Sequence, residues 1–107
     1  MKGKIQNAEH SPLFLSIKMG ETQILRYIYE NAGMSIDLDK LRTHHGFVPL
    51  TYAAYCKQPE IVSFLSLRVR DLNPIDPLGH STLSRCILNN HYEAAMKLIS
   101  RGSDINL

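Results

Sequence analysis

The chain of 107 residues carries five histidines, two cysteines and ten Asp and Glu residues, the groups that could ligate a metal or act as nucleophile, acid or base. Their spacing argues against most of that chemistry. His44 and His45 are adjacent, neighbours in a turn rarely converge on one ion, and no His-x-x-x-His or Cys-x-x-Cys accompanies them. The pair reads as an exposed loop tip, and no metal is expected. Cys56 and Cys86 would each need an adjacent histidine and a third, orienting group to act as nucleophiles. No Gly-rich phosphate loop, Gly-x-Ser-x-Gly elbow or paired-carboxylate motif is present. The chain is therefore expected to be no enzyme, with no catalytic residue and no cofactor. Two thiols without a Cys-x-x-Cys partner suit a reducing compartment, so a cytoplasmic location is expected, with the nucleus as the alternative.

The wider composition narrows the partner class. With 44% apolar and 21% charged residues the chain describes one compact domain of modest core, covering residues 1–107. Its formal charge is only +2 and no run of five like charges occurs. The nearest thing to a cation cluster in the sequence is Arg68-x-Arg70, so nucleic acid is not expected as the main ligand. No apolar stretch approaches the ~20 residues that span a bilayer, and the polar segment Met1 to His10 does not resemble a secretory leader. A membrane partner is not expected.

The organising feature is internal repetition. Gly46-Phe47-Val48-Pro49-Leu50 recurs 33 positions later as Gly79-His80-Ser81-Thr82-Leu83. Ile61, Val62 and Leu65 fall opposite Ala94, Ala95 and Leu98, and Asp71-Leu72-Asn73 falls opposite Asp104-Ile105-Asn106. An upstream copy begins at Ser11-Pro12-Leu13 and continues with Gly20, Ile24, Leu25 and Ile28, at a distance of 37. The four extra residues fit near Ala32-Gly33 and between Asp37 and Thr43. Each copy predicts two helices. Ser11 and Ser81 can cap the first helix of their copies, with Pro12 at the first helical position, where a missing N–H costs nothing. Gly20, Lys57 and Asn90 end these helices; Gly and Asn tolerate a left-handed turn, and Lys57 departs from that rule. Pro59 opens the second helix of the middle copy. Two sets of positions should be core, Ser16 with Ala53 and Cys86, and Ile17 with Ala54 and Ile87. The stripes Ile24-Leu25-Ile28, Ile61-Val62-Leu65 and Ala94-Ala95-Leu98 should bury one face of each second helix.

The period and its punctuation resemble the ankyrin repeat family. The resemblance rests on Pro49-Leu50-Thr51-Tyr52-Ala53-Ala54, on Asn73-x-x-Asp76-x-x-Gly79-x-Ser81-Thr82-Leu83 and on Arg101-Gly102-Ser103-Asp104-Ile105-Asn106, and runs from about Glu9 to Leu107. It implies an all-α, ankyrin-repeat solenoid of three stacked helix-turn-helix units joined by hairpin-like loops. The units would be repeat 1 at about 9–41, repeat 2 at about 42–75 and repeat 3 at about 76–107. Cys86 would replace a buried Ala and be inert, Cys56 would lie on the exposed inner-helix surface, and His91 would hydrogen-bond between neighbouring turns.

The resemblance also implies a concave groove lined by hairpin tips and inner helices, through which such arrays bind other proteins. Transferred by position, the first unit offers Lys18 and Met19, with His10 beside them. The second offers His44, His45, Phe47, Tyr55 and Cys56, and the third Pro77, Leu78, His80, Leu88 and Asn89. Phe47 and Tyr55 should be the centre, because large apolar groups ringed by polar ones make interaction hot spots. The groove histidines would make binding sensitive to pH, with a sign set by the partner's charge. The leading expectation is a non-catalytic module for binding a partner protein. Its alternatives are a recognition or targeting fragment of a larger enzyme or bacterial effector, the latter acting in host cytosol, and a small basic nucleic-acid-binding helical domain, supported only by the charge balance and Arg68-x-Arg70. The face bearing Leu88, Ala95 and Ile99 should be incompletely covered, and be capped by a C-terminal extension or a partner.

Overall fold

The computed structural model describes residues 10–32 and 35–107. Glu9, where the first copy was expected to begin, and the insertion expected at Gly33 lie outside the described residues. The chain is all-α, with helices α1 (Pro12–Lys18), α2 (Thr22–Ala32), α3 (Pro49–Tyr55), α4 (Pro59–Ser66), α5 (Thr82–Leu88) and α6 (Tyr92–Ser100). Ser11 and Ser81 cap as expected, their hydroxyls accepting from Phe14 N and Ser84 N at 3.4 and 3.0 Å. α3 has no side-chain cap at Val48, and Pro49 at its start removes one of the donors a cap would have to satisfy.

The helices pair in chain order, α1 with α2, α3 with α4 and α5 with α6. α3 touches both α1 and α5, and α4 touches α6, so successive pairs pack side by side. The turn within each pair is the same backbone device. Glu21 N donates to Ser16 O at 2.8 Å, Gln58 N to Ala53 O at 2.9 Å and His91 N to Cys86 O at 2.8 Å. Inside each of these turns one residue is left-handed: Gly20 at φ 73°, Lys57 at 63° and Asn90 at 62°. The bond from beyond the turn back into the helix satisfies carbonyls that the helix end would otherwise orphan.

The two following loops are also built alike. Thr43 N donates to Phe47 O and Asp76 N to His80 O, both at 2.8 Å. The side chains of Thr43 and Asp76 return the favour, accepting from Phe47 N and His80 N at 3.0 Å. Further along, Asp39 accepts from Asp71 N at 2.9 Å and Asn73 accepts from Asp104 N at 2.7 Å, tying each loop to the next.

The core runs through all three pairs. Ser16, Ala53 and Cys86 are buried, as are Leu25, Val62 and Ala95. Small residues at the first set let α1, α3 and α5 approach closely. Three expectations are corrected. Ile87 was placed in the core with Ile17 and Ala54, yet it is 49% exposed, because among the described residues no helix packs on that side of α5 as α3 covers α1 and α5 covers α3. Ile24 is 52% exposed although Ile61 and Ala94 at the matching positions are buried, an end effect on the opposite side. Ala95 was expected on an uncovered face and is buried, whereas Leu88 and Ile99 are exposed there.

Candidate functional site

The loop from Thr43 to Phe47 delivers Phe47 against α3, whose Tyr52 and Tyr55 are three apart and so share one helix face. Phe47 lies 4.7 Å from Tyr55 and 5.7 Å from Tyr52 between ring centroids, and Tyr52 meets Phe14 of α1 edge-on at 5.5 Å. This aromatic run floors an open cleft of about 550 Å³, lined by Lys18, His45, Phe47, Tyr52, Tyr55, Cys56, Pro77 and Leu78. Seven of the expected groove residues thus meet in one place. Tyr55 is 44% and Leu78 63% exposed, giving the cleft an apolar rim.

The other six expected residues stand outside its lining, the exposed His10 among them. His44 packs edge-on against His45, with centroids 5.3 Å apart, and Met19 is exposed next to Lys18. His80 is half-buried in the loop and Leu88 is exposed at the end of α5. Asn89 has a structural task, its Nδ2 donating to Ala54 O at 3.2 Å and joining α5 to α3. Phe47 needs a correction of role. At 6% exposure it is floor rather than contact surface, and Tyr55 is the ring offered to a visitor.

Sequence reasoning missed three groups here. Tyr52 was passed over, although its spacing from Tyr55 and its aromatic type were the signal. Asp76 was visible only as a position of the repeat pattern, with no role given to it, and Arg85 was not singled out at all. The Asp76 carboxylate, fully buried, accepts from Leu78 N at 2.8 Å, His80 N at 3.0 Å and Arg85 Nε at 2.7 Å. Burial alone would raise its pKa, but the His80 and Leu78 N–H groups and the Arg85 guanidinium outweigh it and hold the carboxyl below its ordinary value. Arg85 in turn lies over the Tyr55 ring at 5.0 Å. One buried ion pair therefore sets both the loop bearing Pro77 and Leu78 and the ring at the cleft's centre.

Both thiols are held in their protonated form by burial. Burial pushes Cys56 up, against weaker pulls from a Tyr52 hydrogen bond and the charge of Lys18, and pushes Cys86 up to about 11. Cys56, expected on the exposed inner-helix surface, is half-buried beside Tyr52. His91, expected to hydrogen-bond between neighbouring turns, bonds instead within its own turn, its backbone N–H donating to Cys86 O; it lines a separate cleft of about 420 Å³ with Glu60, Ser63 and Lys97. Among the described residues no three His, Cys, Asp or Glu side chains gather as a metal site, and no helix is long and apolar enough to cross a membrane.

No protein-family model and no curated protein matches the chain. Among solved structures it is similar to a chain of the complex between the predatory endopeptidase Bd0816 of Bdellovibrio bacteriovorus and the immunity protein Bd3460. The TM-score is 0.74 at 26% identity, and the match covers 91% of this chain but 49% of the other, so this chain spans about half the length of the solved chain it resembles.

Proposed function

We propose that the chain is a non-catalytic protein-recognition module, three ankyrin-like helix pairs stacked as a short solenoid, which binds a partner protein through the aromatic cleft. The observation that carries the reading is the cleft itself: a rigid aromatic floor, an exposed Tyr55 and Leu78 at the rim, and Lys18 and His45 beside them. Exposed aromatic and aliphatic groups anchored on a packed base lose little freedom on binding, which is what hot spots require. The Lys18 ammonium at the rim favours a partner segment that is apolar at its centre and acidic beside it. The recurring turn and loop hydrogen bonds support the repeat reading, and the solved structure that the chain resembles is a protein–protein complex. A second reading, a recognition segment within a longer protein, draws on the half-length match.

Affinity capture from a lysate, with mass spectrometry, tests the cleft. Tyr55→Ala and Leu78→Ala change exposed groups and should leave the fold intact while removing the specific partner; Phe47→Ala is unsuitable, since losing a buried ring costs about 3–5 kcal/mol. A captured protein retained equally by the folded double variant would place recognition elsewhere.

A further inference from the structure

The cations of the second helices are scattered in sequence at positions 26, 68, 97 and 101, but the fold gathers them. Arg26 of α2, Arg68 just after α4, Lys97 of α6 and Arg101 just after it line one open cleft of about 280 Å³, with Phe64 in its wall and Glu60 as its only carboxylate. None of the four makes an ion pair among the described residues. Arg70, the other half of the sequence pair Arg68-x-Arg70, turns away to Asp37 and Asp39 at 3.4 and 3.7 Å. The cluster visible in the sequence is thus split, and a different one is formed.

The guanidinium groups are held in place before any ligand arrives. Those of Arg26 and Arg68 lie over the buried Phe64 ring at 5.0 and 3.7 Å, and Arg68 Nη1 donates to Phe64 O at 2.8 Å. Arg101 Nη1 donates to Ser63 O at 3.1 Å and to Ser66 Oγ. The protein bonds described use one nitrogen of Arg68 and one of Arg101, leaving donors for an oxyanion. Glu60 is itself engaged by Thr22 Oγ1 at 3.3 Å. Gathering four cations around a single carboxylate costs Coulomb energy, which an anion relieves.

We propose that this cleft is a second binding site, separate from the aromatic one, for a compact ligand carrying two or more phosphate groups. Four cations against one carboxylate leave three positive charges in excess, more than a single phosphate neutralises. The phosphates are those of a free small molecule or of a lipid headgroup; the chemistry is shared.

The test is calorimetric titration of the full chain at low salt with inorganic tripolyphosphate, alongside sedimentation with vesicles containing a phosphoinositide bisphosphate. Saturable one-to-one binding of tripolyphosphate, weakened about tenfold by Arg26→Gln with Lys97→Gln and unchanged in Arg70→Gln, is the expected result. The variants replace exposed surface groups and should stay folded by circular dichroism. Vesicle binding with the same variant pattern but no tripolyphosphate response assigns the phosphates to a lipid. The proposal falls if neither probe binds saturably, if the double variant binds as well as the parent, if sulfate at equal ionic strength competes fully, or if a single-stranded RNA binds more tightly through the same residues.

Discussion

The Asp76 carboxyl sits fully enclosed between its own loop and α5, and it stays ionised because three N–H donors converge on it. Removing the charge leaves Arg85 largely buried without its counter-ion, a loss of about 3 kcal/mol for Asp76→Asn by comparison with other buried pairs. Because Arg85 also lies over Tyr55, the same substitution should loosen the cleft and weaken partner binding beyond the stability change. The pH dependence has a definite sign. A carboxyl whose folded pKa lies below its ordinary value of 3.8 contributes stability above that value, and the contribution is lost as pH falls through the lower folded value. Urea unfolding between pH 6 and pH 3 should therefore show the parent losing more stability than Asp76→Asn; parallel curves would mean that the pair contributes nothing at neutral pH. Asp76 was legible as a position of the repeat pattern, but its pairing with Arg85 was not, since the two lie on a loop and a helix whose mutual approach is set only by how the hairpin closes.

The helix-to-helix turns show what a hydrogen-bond pattern can impose on an unsuited residue. Gly20, Lys57 and Asn90 share a left-handed backbone, and only Lys57 pays a full Cβ penalty of about 1–2 kcal/mol for it. Lys57→Gly should raise stability by about 0.5–1 kcal/mol after the greater freedom of glycine in the unfolded chain is counted. The reverse experiment lies at Gly20, where a Cβ would come within 2.7 Å of Gln58 Oε1 as well as being strained at φ 73°. Gly20→Ala should cost more than 1 kcal/mol, partly by displacing the Gln58 side chain that donates to Lys18 O at 3.1 Å and joins the first two helix pairs. Thermal denaturation of both variants checks the pair, and a Lys57→Gly protein that melts lower would refute the strain argument. These turns were legible in the sequence because glycine and asparagine announce them, and the middle one was legible only by register. The phosphate cleft was illegible for the opposite reason: cations on three different helix pairs have no local spacing to read, and the sequence neighbours Arg68 and Arg70 point to different partners.

At the scale of the whole stack, position along it decides what a side chain does. Ile17, Ala54 and Ile87 occupy one register position, buried in the first two pairs and half exposed in the third. Ala54 is enclosed where α3 meets α5, and its carbonyl accepts from Asn89, whereas among the described residues no helix covers Ile87. A register that places one residue of each pair at this position therefore mispredicts burial at the ends, because burial there depends on what packs next and not on the local sequence. The same logic reverses at the other end, where Ile24 is exposed and its counterparts Ile61 and Ala94 are buried. A matched pair of substitutions isolates this effect from residue type. Ala54→Lys puts a charge into an enclosed, unpaired site and should unfold the chain or cost several kcal/mol. Ile87→Lys at the equivalent position should change stability by no more than about 0.5 kcal/mol in urea, since its ammonium remains in water. Should Ile87→Lys prove as damaging as Ala54→Lys, the exposed side of α5 must be covered in solution, and the stacked pairs would then depend on a neighbour for their last face.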